Sequence, residues 1–111
     1  MNCEQYYLLI AWQYEYDKEG TWTDEDAGEM KCPLLAGEEL VFHHIPKKPM
    51  RILTVEERDG QVVATLARDT TTFTLTSDGE AVKHAIHDSY MVCGDFVTQD
   101  LYLTLSIVKE S

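Results

Sequence analysis

Four histidines are the side chains of this sequence best suited to proton chemistry near neutral pH, and they fall in two close pairs, His43 with His44 and His84 with His87. An imidazole can act as a general base, a proton shuttle or a metal ligand, so the first question is whether either pair can share a site. On a strand, successive side chains point to opposite faces, which separates His43 from His44 and His84 from His87. Neither pair can chelate from one regular strand, and a metal site would need a histidine from each; none is expected. His44 is in line with Leu40 and Phe42, and His84 lies between Val82 and Ile86 at the same parity. These two are expected to face the interior, either as core histidines or as polar anchors of a ligand pocket with Trp12, Tyr14 and Phe42.

The other reactive groups assemble no machinery. His87, Asp88 and Ser89 have the residue types of a hydrolase triad, but three consecutive residues cannot let a base reach the nucleophile while a third group orients it. No G-x-S-x-G elbow is present. Cys93 beside Gly94 offers a thiol next to a permissive backbone, yet the commoner role of a lone cysteine is that of a small buried apolar residue. Cys3, Cys32 and Cys93 are odd in number and no two stand at C-x-x-C spacing. Zinc, a redox motif and a disulfide framework are therefore not expected, and a reducing cytoplasmic setting fits best. Asn2, followed by Cys3 and Glu4, is no glycosylation site. No cofactor is expected.

Carboxylates are more conspicuous. Asp17, Glu19, Asp24, Glu25, Asp26 and Glu29 stand against Lys18 alone. They are hard oxygen donors, but Gly20 follows Glu19 directly and the D-x-[DN]-x-[DN]-G spacing of a calcium loop is absent. Crowding of this kind costs self-repulsion that the cations of a partner would offset. Trp22, Asp24, Glu25 and Asp26 are accordingly the candidate binding residues, with Trp22 as aromatic anchor for a protein of basic surface.

The elements that must hold these groups are read from period-two alternation. From Tyr6 the even positions Leu8, Ile10, Trp12, Tyr14 and Tyr16 are apolar or aromatic, predicting a first strand of about ten residues. A second strand is predicted over Leu40, Phe42 and His44, stopped by Pro46. Residues 50–58 and 61–68 flank Asp59-Gly60, a dipeptide suited to a tight hairpin. Thr71, Phe73 and Leu75 lead through Ser77-Asp78-Gly79 to Val82, His84 and Ile86, predicting another hairpin. Thr72, Thr74 and Thr76 form a polar stripe facing solvent. Leu101, Leu103, Leu105 and Ile107 make one face of a long last strand, and Tyr90–Cys93 offers an eighth. The first and last strands, being the longest and most apolar, are expected to pair or to lie centrally. The expected core includes Leu8, Ile10, Phe42, Phe73, Leu103 and Leu105. Residues 17–37 are read as a long acidic loop, with a short helix over Asp24–Lys31 that Thr23 and Asp26 would cap. The fold class is thus all-β, an antiparallel barrel or sandwich of seven to eight strands in a single domain.

Composition narrows the function. The chain has 111 residues, with 9 Lys and Arg against 20 Asp and Glu for a net charge of −11. A phosphate backbone would be repelled, and the one cluster of cations, Lys47, Lys48 and Arg51, is small, so nucleic acid is not an expected partner. The longest apolar run, Tyr6 to Trp12, is far below the roughly 20 residues that span a bilayer, and no membrane association is expected. Three readings follow. The first is a non-catalytic acidic β module that binds a protein, as a regulator, inhibitor or immunity-like partner. The second is a small-molecule barrel, an isomerase or lyase with interior His44 and His84. The third is a structural homodimer that hides Tyr7, Leu9 and Ala11.

Overall fold

Alternation governs the architecture. In the computed structural model, which describes residues 6–19 and 21–110, the strands are β1 (Tyr6–Lys18), β2 (Trp22–Pro33), β3 (Glu39–Leu40), β4 (Met50–Arg58), β5 (Gln61–Arg68), β6 (Thr71–Thr76), β7 (Val82–Val92) and β8 (Asp95–Lys109). They form two antiparallel four-stranded sheets, ordered β2-β1-β8-β7 and β3-β4-β5-β6, that do not close into a barrel. The described residues include no helix. Asn2 and Cys3 lie outside them.

The first strand pairs along its whole length with the last, from Tyr6↔Lys109 to Lys18↔Val97, and the two fill the centre of their sheet. This register sets Leu8 beside Ile107, Ile10 beside Leu105 and Tyr14 beside Leu101, all on one face. Across from them come Met50, Ile52, Val62, Ala64, Leu66 and Leu75 of the second sheet, in a single apolar cluster. No polar side chain is buried among the described residues, so hydrophobic burial alone drives the packing of the two sheets. Leu8, Ile10, Phe42, Leu103 and Leu105 are core as expected, whereas Phe73 is half-buried against it.

Asp59 and Gly60, with φ of 54° and 81°, join β4 to β5 in the predicted hairpin. Cys93 and Gly94, at 50° and 87°, do the same between β7 and β8, which makes the Cys93 thiol an exposed turn residue. Asp69, at φ 56°, lies between β5 and β6, a hairpin the sequence pattern concealed within its Thr-rich run.

Four expectations are corrected. The acidic segment is neither loop nor helix: residues 22–33 form β2, paired with β1 without interruption from Tyr7↔Pro33 to Lys18↔Trp22. Gly28, which disfavours a helix, suits this strand, because a Cβ there would stand 2.7 Å from Cζ2 of Trp12. The predicted second strand shrinks to Glu39–Leu40, and Phe42 and Ile45 anchor turns instead, with Ile45 N donating to Phe42 O at 3.1 Å and Lys48 N to Ile45 O at 3.3 Å. Residues 77–81 are no hairpin turn but the crossing from one sheet to the other. Tyr90–Val92 belongs to β7 rather than to a separate strand.

The strands of the β2-β1-β8-β7 sheet run 12, 13, 15 and 11 residues, against at most 9 in the other. At roughly 3.3 Å per residue β8 alone spans about 50 Å, matching the longest dimension of 53 Å. The core cluster runs from Leu8 and Ile107 to Tyr14 and Leu101 and includes neither Val97 nor Tyr90, so the end of the long sheet at Lys18, Trp22, Val92 and Asp95 projects past the shared core.

Candidate functional site

As an edge strand, β2 displays its acidic residues along one rim of the molecule. Alternation splits them. Trp22, Asp24 and Asp26 share the inner face with Tyr14 and Tyr16 of β1, while Thr23, Glu25 and Glu29 lie on the outer face. Trp22 is 57% exposed and meets the Tyr16 ring edge to face at 5.0 Å. Asp24 and Asp26 each turn an Oδ1 back to accept the next residue's amide, Glu25 N at 3.0 Å and Ala27 N at 2.9 Å. The four candidate residues are thus side by side, but they serve two faces of one strand.

On the outer face the register produces a row that crosses the whole sheet, Glu25–Glu15–Asp100–His87. Three carboxylates stand directly opposite one another on neighbouring strands, where like charges destabilise. His87 Nδ1–H donates to Asp100 Oδ1 at 2.7 Å, and nearby Tyr102 has its phenol held above the usual range by Asp100, with burial and Glu15 adding to it.

The inner face gathers the aromatic candidates. The turns anchored by Phe42 and Ile45 lay the His44 ring 4.3 Å from that of Tyr14 and 5.0 Å from that of Trp12, and its Nε2–H donates to Asp26 Oδ2 at 3.1 Å. Gln99 Nε2 donates to Tyr14 Oη and lies 3.4 Å from the His44 carbonyl. Two open clefts flank His44. One, of about 140 Å³, is lined by Trp12, Met30, Val41, Phe42, His43 and Leu101. The other, of about 310 Å³, is lined by Ile45, Pro46, Lys47, Asp88, Tyr90 and Gln99. Burial pushes the Tyr14 phenol up, against the lowering effect of the Gln99 hydrogen bond, and the charges of Tyr90, Tyr16 and Asp24 push the same way as burial.

His84 does not join this group. It faces Phe73, ring centroids 5.2 Å apart, and accepts a hydrogen bond at Nε2 from Arg68 Nε at 2.8 Å. Burial, then the Arg68 charge, lowers its pKa, so it is held as the neutral Nδ1–H tautomer. The structure thus brings Trp12, Tyr14, Phe42 and His44 together and leaves His84 in a separate setting. Among the described residues no group of three or more His, Cys, Asp or Glu is placed to hold a metal. Neither cleft beside His44 has a serine, threonine or cysteine in its lining to act as a nucleophile. The geometry offers aromatic faces and hydrogen-bond acceptors, which suit binding.

Sequence reasoning passed over Glu15, Asp100, Gln99 and Tyr90. The signal for Gln99 was present: the odd-numbered face of the last strand continues through Val97 and Gln99, and a lone amide in that apolar row marks where the core ends. Glu15 and Asp100 carried none, since their opposition depends on strand order. No helix of the described residues is long and apolar enough to cross a membrane. Comparison with family models, with curated proteins and with solved structures finds no match for this chain.

Proposed function

We propose that this chain is a non-catalytic β module that binds a protein of basic surface through the acidic β2 rim and the overhanging end of its sheet, with Trp22, Asp24, Glu25 and Asp26 among the contacts. The observation that carries this reading is the position of Glu15. Charged side chains on an exposed edge strand have a purely structural use, since they keep edges of separate molecules from pairing, and the capped amides of β2 serve it. Glu15 is on the central strand β1, half-buried between Glu25 and Asp100, where there is no edge to protect. Its charge works against the fold, and a partner's cations would offset it.

The test is capture of the partner from the native host, followed by association rates at low and high ionic strength. The variant combines Asp24→Asn, Glu25→Gln and Asp26→Asn, which keeps acceptors for the β2 amides while removing three charges. Association slowed in the variant at low salt, and converging with wild type as salt rises, is the expected result. Equal rates at every salt concentration would make the acidic rim a solubility feature only.

A further inference from the structure

The overhanging end leaves part of the inner face outside the shared core. Its two rungs read Asp24–Tyr16–Gln99–Asp88 and Trp22–Lys18–Val97–Tyr90. Val97 is completely shielded, while Tyr90 is 39% exposed and Trp22 more so, so the aromatic rings cover the sheet and present themselves to solvent. Between Tyr90 and the turn at His44–Lys47 runs the larger of the two clefts.

Apart from Lys47, the groups this cleft leaves free are acceptors and ring faces. Gln99 spends Nε2 on Tyr14 Oη and the His44 carbonyl, which turns its Oε1 the other way. Asp88 gives Oδ1 to the Ser89 amide at 3.0 Å, with Lys48 Nζ 3.9 Å away and itself donating to the His87 carbonyl at 2.8 Å; Oδ2 is left over. The Tyr90 phenol is held above its usual range by burial first, then by Tyr16 and Asp88, a setting that resists added negative charge. A planar cation with several N–H donors answers all of these at once: its plane stacks on an aromatic ring and its edge reaches a carboxylate and an amide oxygen. An ammonium would supply the charge without the stacking plane.

Resting on the reading of a basic protein partner, we propose that the cleft bounded by His44, Lys47, Asp88, Tyr90 and Gln99 receives an arginine side chain of that partner, stacked on Tyr90 and hydrogen-bonded to Asp88 and Gln99. Lys47, exposed on the opposite wall, opposes such a ligand, which gives the proposal a test of sign.

The probes are N-acetyl-arginine amide, its lysine counterpart, and the citrulline amide that has arginine's shape without its charge, each titrated into the isotope-labelled protein and followed by NMR. Saturable shifts at residues 44–47 and 88–90 and at the Gln99 side-chain amide are expected with arginine, weaker with lysine and absent with citrulline. Tyr90→Ala should weaken the arginine probe about two- to fivefold while Tyr90→Phe retains it. Lys47→Ala should tighten it. Citrulline shifting the same residues, arginine shifts spread evenly over the acidic surface, or Lys47→Ala weakening the probe would each overturn the proposal. If the cleft stays silent while the β2 charge variant still slows partner association, the partner reading stands and the arginine cleft alone falls.

Discussion

Neutralising Glu15 should make the protein more stable. In the row Glu25–Glu15–Asp100 the central carboxylate opposes one neighbour on each side. With Cβ atoms roughly 5 Å apart and carboxylates able to splay to about 6 Å, each pair repels by about 0.7 kcal/mol in a water-like dielectric. Counter-ions with a Debye length of about 30 Å at low salt leave most of this, about 1 kcal/mol for the two pairs; at about 0.15 M roughly half remains. Glu15→Gln keeps the side chain's length and removes only charge. Urea unfolding in low salt should show a gain of about 1 kcal/mol, a rise in Tm of about 4–6 °C. Glu25→Gln, which relieves one pair, should give about half. A Glu15→Gln variant no more stable than wild type at low salt, or a gain that grows with salt, would refute the repulsion and remove the main support for the partner reading.

Three other outcomes test the packing. Leu103→Ala, at a side chain only 1% exposed, should cost about 2–5 kcal/mol in urea unfolding, and clearly more than Phe73→Ala would for its size, given the half-exposure of Phe73. Gly28→Ala should displace the Trp12 ring and cost about 1–3 kcal/mol, with a changed Trp fluorescence spectrum; an unchanged spectrum and Tm would mean the ring is not seated there. For His84 the folded-state pKa is depressed by burial and by Arg68, so the unfolded chain binds the proton more readily. Its contribution is complete above the unfolded value near 6.5 and is lost as pH falls through that value towards the folded one. Melting curves from about pH 8 to about pH 5 should show the difference between wild type and His84→Gln move against wild type on acidification.

What the sequence made legible, and what it hid, divides along a physical line. Where one face of a strand is buried, alternation writes the strand into the sequence: β1, β4, β5 and β8 were visible because Leu8, Ile52, Leu66 and Leu103 must point inward. Asp59-Gly60 was visible because few other residues accept its backbone angles. The acidic β2 was hidden because its first half packs almost nothing; it is a strand because β1 offers it a ladder, and hydrogen bonds to a neighbour leave no trace in hydropathy. Leu40, Phe42 and His44 misled for the opposite reason, since Phe42 and Ile45 bury equally well from successive turns around Pro46. Of the site, Trp22 and its acidic neighbours, and the grouping of Trp12, Tyr14, Phe42 and His44, could be named residue by residue. That His84 stands apart, and that Glu15 meets Asp100, follows from strand order and register, which no local pattern specifies.

The overhang also gives the molecule two tiers of stability. Strand residues between the two sheets can open only by exposing the shared core, whereas the strand ends at Lys18, Trp22, Val92 and Asp95 are held by their ladders, by surface contacts between Lys18 and Asp95 and from Phe96 N to Glu19 Oε2, and by the aromatic rings upon them. Local opening of that end is therefore cheaper than global unfolding, and its amides exchange with solvent by a route that leaves the core closed. A ligand seated there would slow exchange at the tips while scarcely moving the global transition, until its binding free energy exceeded the difference between the tiers. Thermal shift alone would then understate binding at that end, which could soften or stiffen without the fold beneath it changing.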